Sequence, residues 1–376
     1  MRKILALFLC LLPALAVRAE KRLVLIDQDG SGPGGSNQMA MMVLLQSPEV
    51  EVLGITMVTG NAWRDEETAH TLRMLELIGR TDVPVAQGAV FPLVRTQQET
   101  ELQSALVGKV AWLGAWGQGP NTLVQTSEGL AGQVTHPGDA HGPYFVPKLA
   151  EGAPHTKPID EDAVHFLIRQ VHAHPHQVTI YAAGPLTNIA LAISIDPQFA
   201  GLTRGIVIMG GSLNPQTADP EFSASPRHEF NFWFDPEAAH ITLRAPFPRI
   251  DLTTVDVSIK APFTEAMLKE IAQSPNPAAQ YIAKYSEDRY YLWDELAACA
   301  LIDPTLITGE KSVYMDVDLS HGPSYGDTLT WFQANKPQTE LQVVHAQTDV
   351  DLERFDRMFV QLMKAPTPPH NITSQH

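Results

Sequence analysis

The chain has 376 residues, and its 42 acidic residues outnumber its 26 lysines and arginines, which gives a net charge of −16 at pH 7. This balance disfavours binding to nucleic acid or to an anionic membrane surface, because both partners are negatively charged. It is compatible with cation binding and equally with a role in solubility alone. The length is about twice that of a typical domain, but α/β folds of this size often form one unit.

The first residues have the pattern of a secretory signal peptide. Arg2 and Lys3 precede an apolar run over residues 4–17, and Ala19 suits the cleavage site. The run is too short to span a membrane comfortably. The sequence therefore predicts a signal peptide over residues 1–19, export to the periplasm or the extracellular space, and no membrane attachment after cleavage.

Cleavage changes both the charge and the cysteine content. Loss of the three cationic residues of the signal leaves 23 lysines and arginines against 42 acidic residues, a net charge of −19. Cys10 leaves with the signal, so Cys299 is the only cysteine of the mature chain and no internal disulfide is expected. A lipoprotein anchored through Cys10 is the alternative, which the very short apolar stretch before that residue disfavours.

Apolar runs alternate with amphipathic patterns along the chain. Strand patterns fall at residues 23–27, 52–58, 178–182, 205–209 and 249–252, and helical patterns at residues 38–46, 66–77, 161–173, 188–194 and 236–243. Such alternation predicts an α/β fold with an open, mostly parallel sheet and helices on both faces, as in Rossmann-like folds. Later runs at residues 313–317, 329–332 and 341–344 predict small antiparallel additions before a closing helix at residues 352–363.

No linker, repeat or low-complexity block divides the sequence. We therefore predict one domain over residues 20–364 and a flexible tail over residues 365–376. Residues 90–158 show little periodicity and are rich in Gly, Pro, Trp and His. A stretch of this length in a compact domain is typically a functional loop or a disordered segment, and Trp112 and Trp116 argue against disorder.

A glycine-rich loop follows the first strand pattern. Residues 30–35 contain the G-x-G-x-x-G spacing between a strand and a helix, which by itself suggests a dinucleotide site. The second strand, however, ends at Gly60 and Asn61 without the acidic residue that would bind a ribose. Pro33 also removes a backbone amide that a phosphate would use. The context therefore disfavours a nicotinamide or flavin site.

Two aspartates, Asp27 and Asp29, lie at the end of the same strand pattern. Hard divalent cations such as calcium prefer several oxygen ligands from carboxylates, amides and carbonyls. Asp29, Asn37 and Asp294 are candidates for such a site, although only the fold can bring Asp294 close. The alternative is that Asp29 simply caps the loop or the following helix. The motif alone favours this capping role, because short motifs are weak evidence for a site.

The chain resembles the inosine-uridine preferring nucleoside hydrolase family over residues 22–363. The specific match is Glu229-Phe230-Asn231 followed by residues 235–240. Further blocks match in order at residues 47–61, 83–88, 183–188 and 207–211, at the His141-Gly142 loop, and at the Trp293-Asp294 pair that opens a helix. Each block is modest, and their shared order carries the resemblance.

The resemblance implies hydrolysis of the N-glycosidic bond of ribonucleosides to free base and ribose, with a bound calcium ion. Asp29 would bind calcium and act as general base toward the calcium-held water. The other implied metal ligands are Asn37, Asp294 and the backbone carbonyl of Ala183. Asp27 would orient the site from behind. The residues implied to contact the substrate are Ser36, Asn61, His141, Met209, Glu229, Asn231 and Trp293.

Two departures from the family pattern concern activity and substrate range. The family opens with D-x-D-P-G-x-D-D, whereas here the loop is about three residues longer and Ser36-Asn37 stands where the last two aspartates are expected. Asparagine offers calcium one neutral oxygen, and calcium affinity falls with ligand charge. Trp293 stands where some members have a histidine that protonates the departing base. Tryptophan cannot donate that proton, but it can stack on a base.

Three functions remain open at this point. The first is a calcium-dependent nucleoside hydrolase, expected to be a homo-oligomer with a small-molecule nucleoside substrate and no nucleic-acid partner. The second is a periplasmic nucleoside- or ribose-binding protein of the same fold that has lost hydrolysis, which Ser36-Asn37 favours and the retention of Asp29 and Asp294 opposes. The third is a hydrolase of another ribosyl compound, with a pocket remodelled by the longer glycine loop.

Overall fold

The computed structural model of the chain describes residues 21–108, 112–117, 124–126, 129–131, 142–218, 222, 225, 227–287 and 290–368. The predicted signal peptide, His141 and the last eight residues lie outside this part of the chain. None of the helices in the described ranges combines the length and the apolar character needed to cross a membrane.

The strands of the described chain are β1 (Arg22–Gln28), β2 (Val50–Met57), β3 (Val85–Gln87), β4 (Val124–Thr126), β5 (Gly129–Ala131), β6 (Val178–Ala183), β7 (Gly205–Met209), β8 (Ile250–Thr253), β9 (Ile307–Val317), β10 (Thr328–Trp331) and β11 (Val343–Val350). The helices are α1 (Ser36–Gln46), α2 (Arg64–Ile78), α3 (Gln97–Val107), α4 (Ala163–Ala173), α5 (Thr187–Ile195), α6 (Phe199–Leu202), α7 (Phe230–Phe234), α8 (Pro236–Arg244), α9 (Val255–Ser258), α10 (Glu265–Ile271), α11 (Pro277–Tyr285), α12 (Trp293–Ile302) and α13 (Leu352–Lys364).

Nine of these strands form one sheet in the order β10-β9-β11-β8-β7-β6-β1-β2-β3. All neighbouring strands from β3 to β11 are parallel, and β9 is antiparallel to both β11 and β10. This confirms the predicted α/β fold with a mostly parallel sheet and antiparallel additions near the C-terminus. One detail differs, because the run predicted at residues 341–344 belongs to β11, which also pairs in parallel with β8.

The order of the strands reverses at β1. The chain continues from β1 to β2 and β3 on one side, and later adds β6, β7 and β8 on the other side. The loops that leave β1 and β6 therefore diverge at the carboxyl ends of the strands, where α/β sheets of this type form a crevice. Ligands of open α/β sheets bind at such a point.

Side chains of β1 alternate between two layers of helices. Val24 and Ile26 pack in the apolar cluster that contains α1, α12 and α13, whereas Leu25 packs in the cluster that contains α4, α5 and α8. Because successive strand residues point to opposite faces, Gln28 follows Ile26 toward α1 and α12. Asp27 follows Leu25 toward α5 on the other face.

The region over residues 90–158 is more regular than its lack of periodicity predicts. It contains α3, which begins with a capping box in which Thr96 and Glu99 accept from each other's backbone amides. The T-x-x-E spacing at residues 96–99 is a sequence signal for this helix start. A short helical turn over Gly114–Gly117 follows in the same region and approaches the crevice.

Candidate active site

The candidate active site lies at the carboxyl end of β1, in the crevice at the strand-order reversal. Asp29 follows β1 directly, Asn61 lies in the loop between β2 and α2, and Asn37 lies in the first turn of α1. Asp294 lies in the first turn of α12. Four separate elements thus bring together four of the residues that the resemblance implied for the metal and the substrate.

Asp29 is fully buried, and amide groups hold its carboxylate. Asn61 donates to Oδ2 of Asp29 from its backbone N–H and from Nδ2, each at 3.0 Å. Asn37 Nδ2 donates to the other oxygen, Oδ1, at 2.8 Å. A Cβ atom at Gly60 would lie 2.1 Å from Oδ2 of Asp29, so only glycine allows the loop to approach this closely.

Asn37 bridges the two aspartates that the resemblance assigns to the metal. Its Nδ2 lies 2.8 Å from Oδ1 of Asp29 and 2.9 Å from Oδ2 of Asp294. The same nitrogen lies 3.1 Å from Oε1 of Gln28. The side-chain nitrogen of Asn37 therefore lies within hydrogen-bond distance of three oxygen atoms.

A second group of polar residues lies at the carboxyl end of β7. Glu229 Oε1 accepts from the backbone N–H of Asn231 at 2.9 Å, and Oε2 accepts from Gly211 and Phe232 at 3.0 Å each. These bonds make Glu229 the N-cap of α7. Asn231 Nδ2 donates to the carbonyl oxygen of Met209 at 3.0 Å, which leaves its Oδ1 on the opposite side of the amide.

Ser36 and Asp27 have other partners. The hydroxyl of Ser36 donates to Oε2 of Glu295 at 2.6 Å and accepts from the backbone N–H of Asp294 at 3.3 Å. Asp27 lies behind the site, where its Oδ1 accepts from Thr56 and from Nδ2 of Asn188. Neither residue touches Asp29 through a hydrogen bond within the described chain, so both support the site from its edges.

Burial governs the electrostatics of this region. It raises the pKa of Asp27 to about 7, that of Asp294 to about 8 and that of Glu229 to about 6. Burial, together with the charge of Asp294, also raises the pKa of Asp29 well above its usual value. Burial and a neighbouring carboxylate have the same effect on the pKa of Glu67, beside Asp29, and of Glu295, beside Asp294.

These carboxylates have no cationic partner in the described part of the chain. The groups that shift their pKa values are burial, amide and hydroxyl donors, and other carboxylates, with no Lys, Arg or His among them. Buried charges in proteins are normally paired or bound to a metal. The crevice is therefore electrostatically suited to a cationic ligand.

The residues present also fit a hard divalent cation by their chemistry. No group of three or more His, Cys, Asp and Glu side chains in the described ranges is arranged to hold a metal. The available donors are instead the carboxylates of Asp29 and Asp294, the side-chain amide of Asn37, and the backbone carbonyl of Ala183, a residue that pairs with Gln28 across β6 and β1. Oxygen donors of these types suit calcium once the Asn37 amide turns its oxygen inward.

Aromatic side chains border the site. Trp293, just before Asp294, makes edge-to-face contacts with Phe222 at 5.7 Å and Tyr291 at 5.1 Å between ring centroids. Trp112 Nε1 donates to Oδ1 of Asn61 at 2.6 Å from the loop that precedes the Gly114–Gly117 turn. Aromatic rings therefore lie next to the carboxylates of the candidate site.

Sequence reasoning missed Gln28, Trp112 and Glu67. Gln28 had a usable signal, since it is a polar residue in phase with Val24 and Ile26 on the buried face of β1. Glu67 Oε1 accepts from the backbone N–H of Ala62 at 2.8 Å and so supports the loop that carries Asn61. The contact of Trp112 has no local sequence signal.

Comparison with known proteins agrees with this geometry. The profile of the inosine-uridine preferring nucleoside hydrolase family matches residues 24–357. Uridine nucleosidase 1 of Arabidopsis thaliana is 30% identical over 307 residues, which cover 77% of this chain and 76% of that protein. The inosine-uridine preferring nucleoside hydrolase of Leishmania major is 28% identical over 342 residues, or 88% of this chain and 94% of that protein.

A solved structure gives the same result at the level of the fold. A plant nucleoside hydrolase, the PpNRh1 enzyme, matches with a TM-score of 0.70 and 26% sequence identity, and covers 92% of this chain and 99% of its own. The family profile spans most of the chain. This chain therefore belongs to the inosine-uridine preferring nucleoside hydrolase family.

Proposed function

We propose that this protein hydrolyses the N-glycosidic bond of ribonucleosides and releases the free base and ribose. The observation that carries the proposal is the buried carboxylate of Asp29, held by Asn37 and Asn61 opposite Asp294 at the point of strand-order reversal. Membership of a family of nucleoside hydrolases supports the same reaction. We include calcium in the proposal, bound by Asp29, Asn37, Asp294 and the carbonyl of Ala183.

The ribose hydroxyls would bind to the polar groups on both sides of the crevice. Asn61 carries an amide next to Asp29, and Glu229 and Asn231 present carboxylate and amide oxygens from the start of α7. A site built to hydrogen-bond hydroxyl groups discriminates strongly against a sugar that lacks them. The proposal therefore predicts a preference for ribonucleosides over 2′-deoxyribonucleosides.

The chemistry follows from the position and the environment of Asp29. When bound, the calcium ion would supply a positioned and more acidic water. Asp29 would accept the proton of the attacking water, because its carboxylate lies among the groups that would hold the calcium ion. The neighbouring carboxylates would stabilise the positive charge that develops on the sugar as the bond to the base breaks. Trp293 has no acidic group that could protonate the departing base. Its ring would instead stack on the base and orient it.

The test is a hydrolysis assay with Asp29→Asn as the matched variant. We expect release of free base and reducing sugar from a panel of ribosides by the wild type, and a loss of roughly 10²–10⁴-fold in Asp29→Asn, which keeps the shape but not the base. A wild-type protein that binds nucleosides tightly in the presence of calcium without turnover would instead be the non-catalytic binding protein. Turnover confined to ribosides other than nucleosides would identify the alternative hydrolase.

Metal dependence needs its own measurement. We expect that a chelator abolishes turnover and that added calcium restores it, because the two aspartates lack any other cation within the described chain. Full activity in a metal-free preparation, checked by elemental analysis, would remove calcium from the proposal and leave the hydrolysis standing.

A further inference from the structure

The side chain of Gln28 contacts Asp29, Asn37 and Asp294, the three residues whose side chains we propose to bind the metal. It is the last residue of β1, it is fully buried, and it lies on the face of the strand that packs against α1 and α12. A glutamine among the apolar residues of that face buries an amide that must find partners. Its partners are all in the candidate active site.

The contacts of Gln28 use both ends of its amide. Oε1 accepts from the backbone N–H of Asp29 at 2.9 Å and from Nδ2 of Asn37 at 3.1 Å. Nε2 donates to Oδ2 of Asp294 at 3.2 Å. One planar group therefore connects β1 and α1 with α12, where Asp294 lies 266 residues after Gln28.

We propose that Gln28 is a positioning residue that sets the geometry of the cation site by fixing Asp29 and Asp294 relative to one another. This inference rests on the proposed calcium site. The donor to Oδ2 of Asp294 leaves the other carboxylate oxygen of that residue to bind a cation. The bond from Asn37 to Oε1 of Gln28 belongs to the metal-free state, because it breaks when the Asn37 oxygen turns toward the cation.

The low ligand charge of the site makes such positioning more important. The donors include two carboxylates, and an amide occupies the place of a further one. A site with less ligand charge depends more on having its ligands correctly oriented before the cation binds. Hydrogen-bonding partners that orient metal ligands typically contribute 10–100-fold to metal affinity.

The test is calcium binding to the purified full-length protein, measured by isothermal titration calorimetry with calcium alone. Gln28→Met keeps the length of the side chain and removes its three hydrogen bonds, so we expect calcium affinity to fall roughly 10–100-fold. Gln46→Met is the matched control. Gln46 is equally buried at the far end of α1, where its Nε2 donates to the carbonyl of Ala365 at 2.6 Å. That control should lower Tm without changing calcium affinity.

Gln28→Asn is a second variant that stays informative if Gln28→Met does not fold. The asparagine keeps an amide but is one carbon shorter, so it cannot accept from the backbone N–H of Asp29 and donate to Oδ2 of Asp294 at the same time. We expect calcium affinity to fall roughly tenfold, because one of the two metal-binding aspartates is no longer oriented.

The outcomes separate this inference from the proposed function. Calcium affinity within twofold of the wild type in Gln28→Met, or in Gln28→Asn where Gln28→Met does not fold, overturns the positioning role. A wild type that hydrolyses nucleosides without binding calcium overturns it and leaves the enzyme. Binding of calcium that depends on Gln28, in a protein with no hydrolytic activity, supports it and overturns the proposed function.

Discussion

The two halves of the crevice are built in different ways. The half around Asp29 is assembled from side chains of β1, α1, the loop after β2, and α12, and Gln28 and Asp294 are 266 residues apart in the chain. The half around Glu229 is local, since that carboxylate accepts from amides two and three residues ahead of it, with one further bond to Gly211. The first half is therefore sensitive to ligand charge and the second to helix capping.

The largest effect on stability is expected from Glu229→Ala in the local half. The change removes the N-cap of α7 and leaves the buried backbone N–H groups of Gly211, Asn231 and Phe232 without an acceptor. Lost capping costs about 1 kcal/mol and each unsatisfied buried donor costs about 1–3 kcal/mol. We expect the free energy of unfolding to fall by about 3 kcal/mol or more in a urea titration. An unchanged midpoint would mean that the carboxylate serves the ligand alone.

A smaller effect is expected on the pH dependence of folding stability, through the same Glu229 carboxylate. Burial raises the pKa of Glu229 from 4.5 to about 6. As pH rises through this interval the unfolded chain loses its proton before the folded one, so stability falls with rising pH, by about 2 kcal/mol in total. Urea titrations of the wild type and Glu229→Gln between pH 4 and pH 7 should differ by this slope. Parallel curves for the two proteins would contradict the expectation.

The next variant adds negative charge to the half of the site around Asp29. Asn37→Asp replaces the amide that faces Asp29 and Asp294 with a further carboxylate. Greater ligand charge should tighten calcium binding roughly tenfold and lower Tm in chelator, since three carboxylates then face one another without a cation. Calorimetry and thermal melts with and without calcium measure both effects. Equal affinity in the two proteins would show that Asn37 is not a ligand.

The smallest expected effect is an increase in the free energy of unfolding of the metal-free protein. Asp294→Asn keeps an oxygen that accepts from Gln28 and Asn37 but removes the negative charge that faces Asp29. Relief of this repulsion should raise the metal-free free energy of unfolding by about 1 kcal/mol, while calcium binding is lost. Removal of one charge beside Asp29 is thus expected to stabilise the metal-free fold, whereas removal of the Glu229 carboxylate is expected to destabilise it. A lower Tm for Asp294→Asn in chelator would contradict this contrast.

Several features of the fold follow from local patterns. The runs at residues 23–27 and 205–209 became β1 and β7, and the alternation of strands and helices predicted the mostly parallel sheet. The helix α3 was missed, although its capping box at Thr96 and Glu99 was a visible signal. Periodicity failed there because much of the helix is exposed and lacks a continuous apolar face.

The candidate site was predictable in part. Asp29, Asn61 and Asp294 were assigned through the resemblance, and the structure brings all three into contact with one another or with Asn37. The prediction for His141 stays untested, since it lies outside the described residues, and Ser36 contacts Glu295. Gln28 was missed although its place on the buried face of β1 was a signal, and that signal does not say which residues of α1 and α12 the amide contacts.

The sequence by itself determined the fold class, the family resemblance and the identity of the aspartate at the end of β1. These properties depend on the order and spacing of residues along the chain, which strand and helix periodicity reads directly. Only the tertiary structure decided which side chains meet that aspartate. Its contacts with Asn37 and, through Gln28, with Asp294 arise because the strand order reverses at β1 and because α1 and α12 pack on one face of that strand. Contacts between elements so distant in sequence are set by packing, which local patterns do not encode.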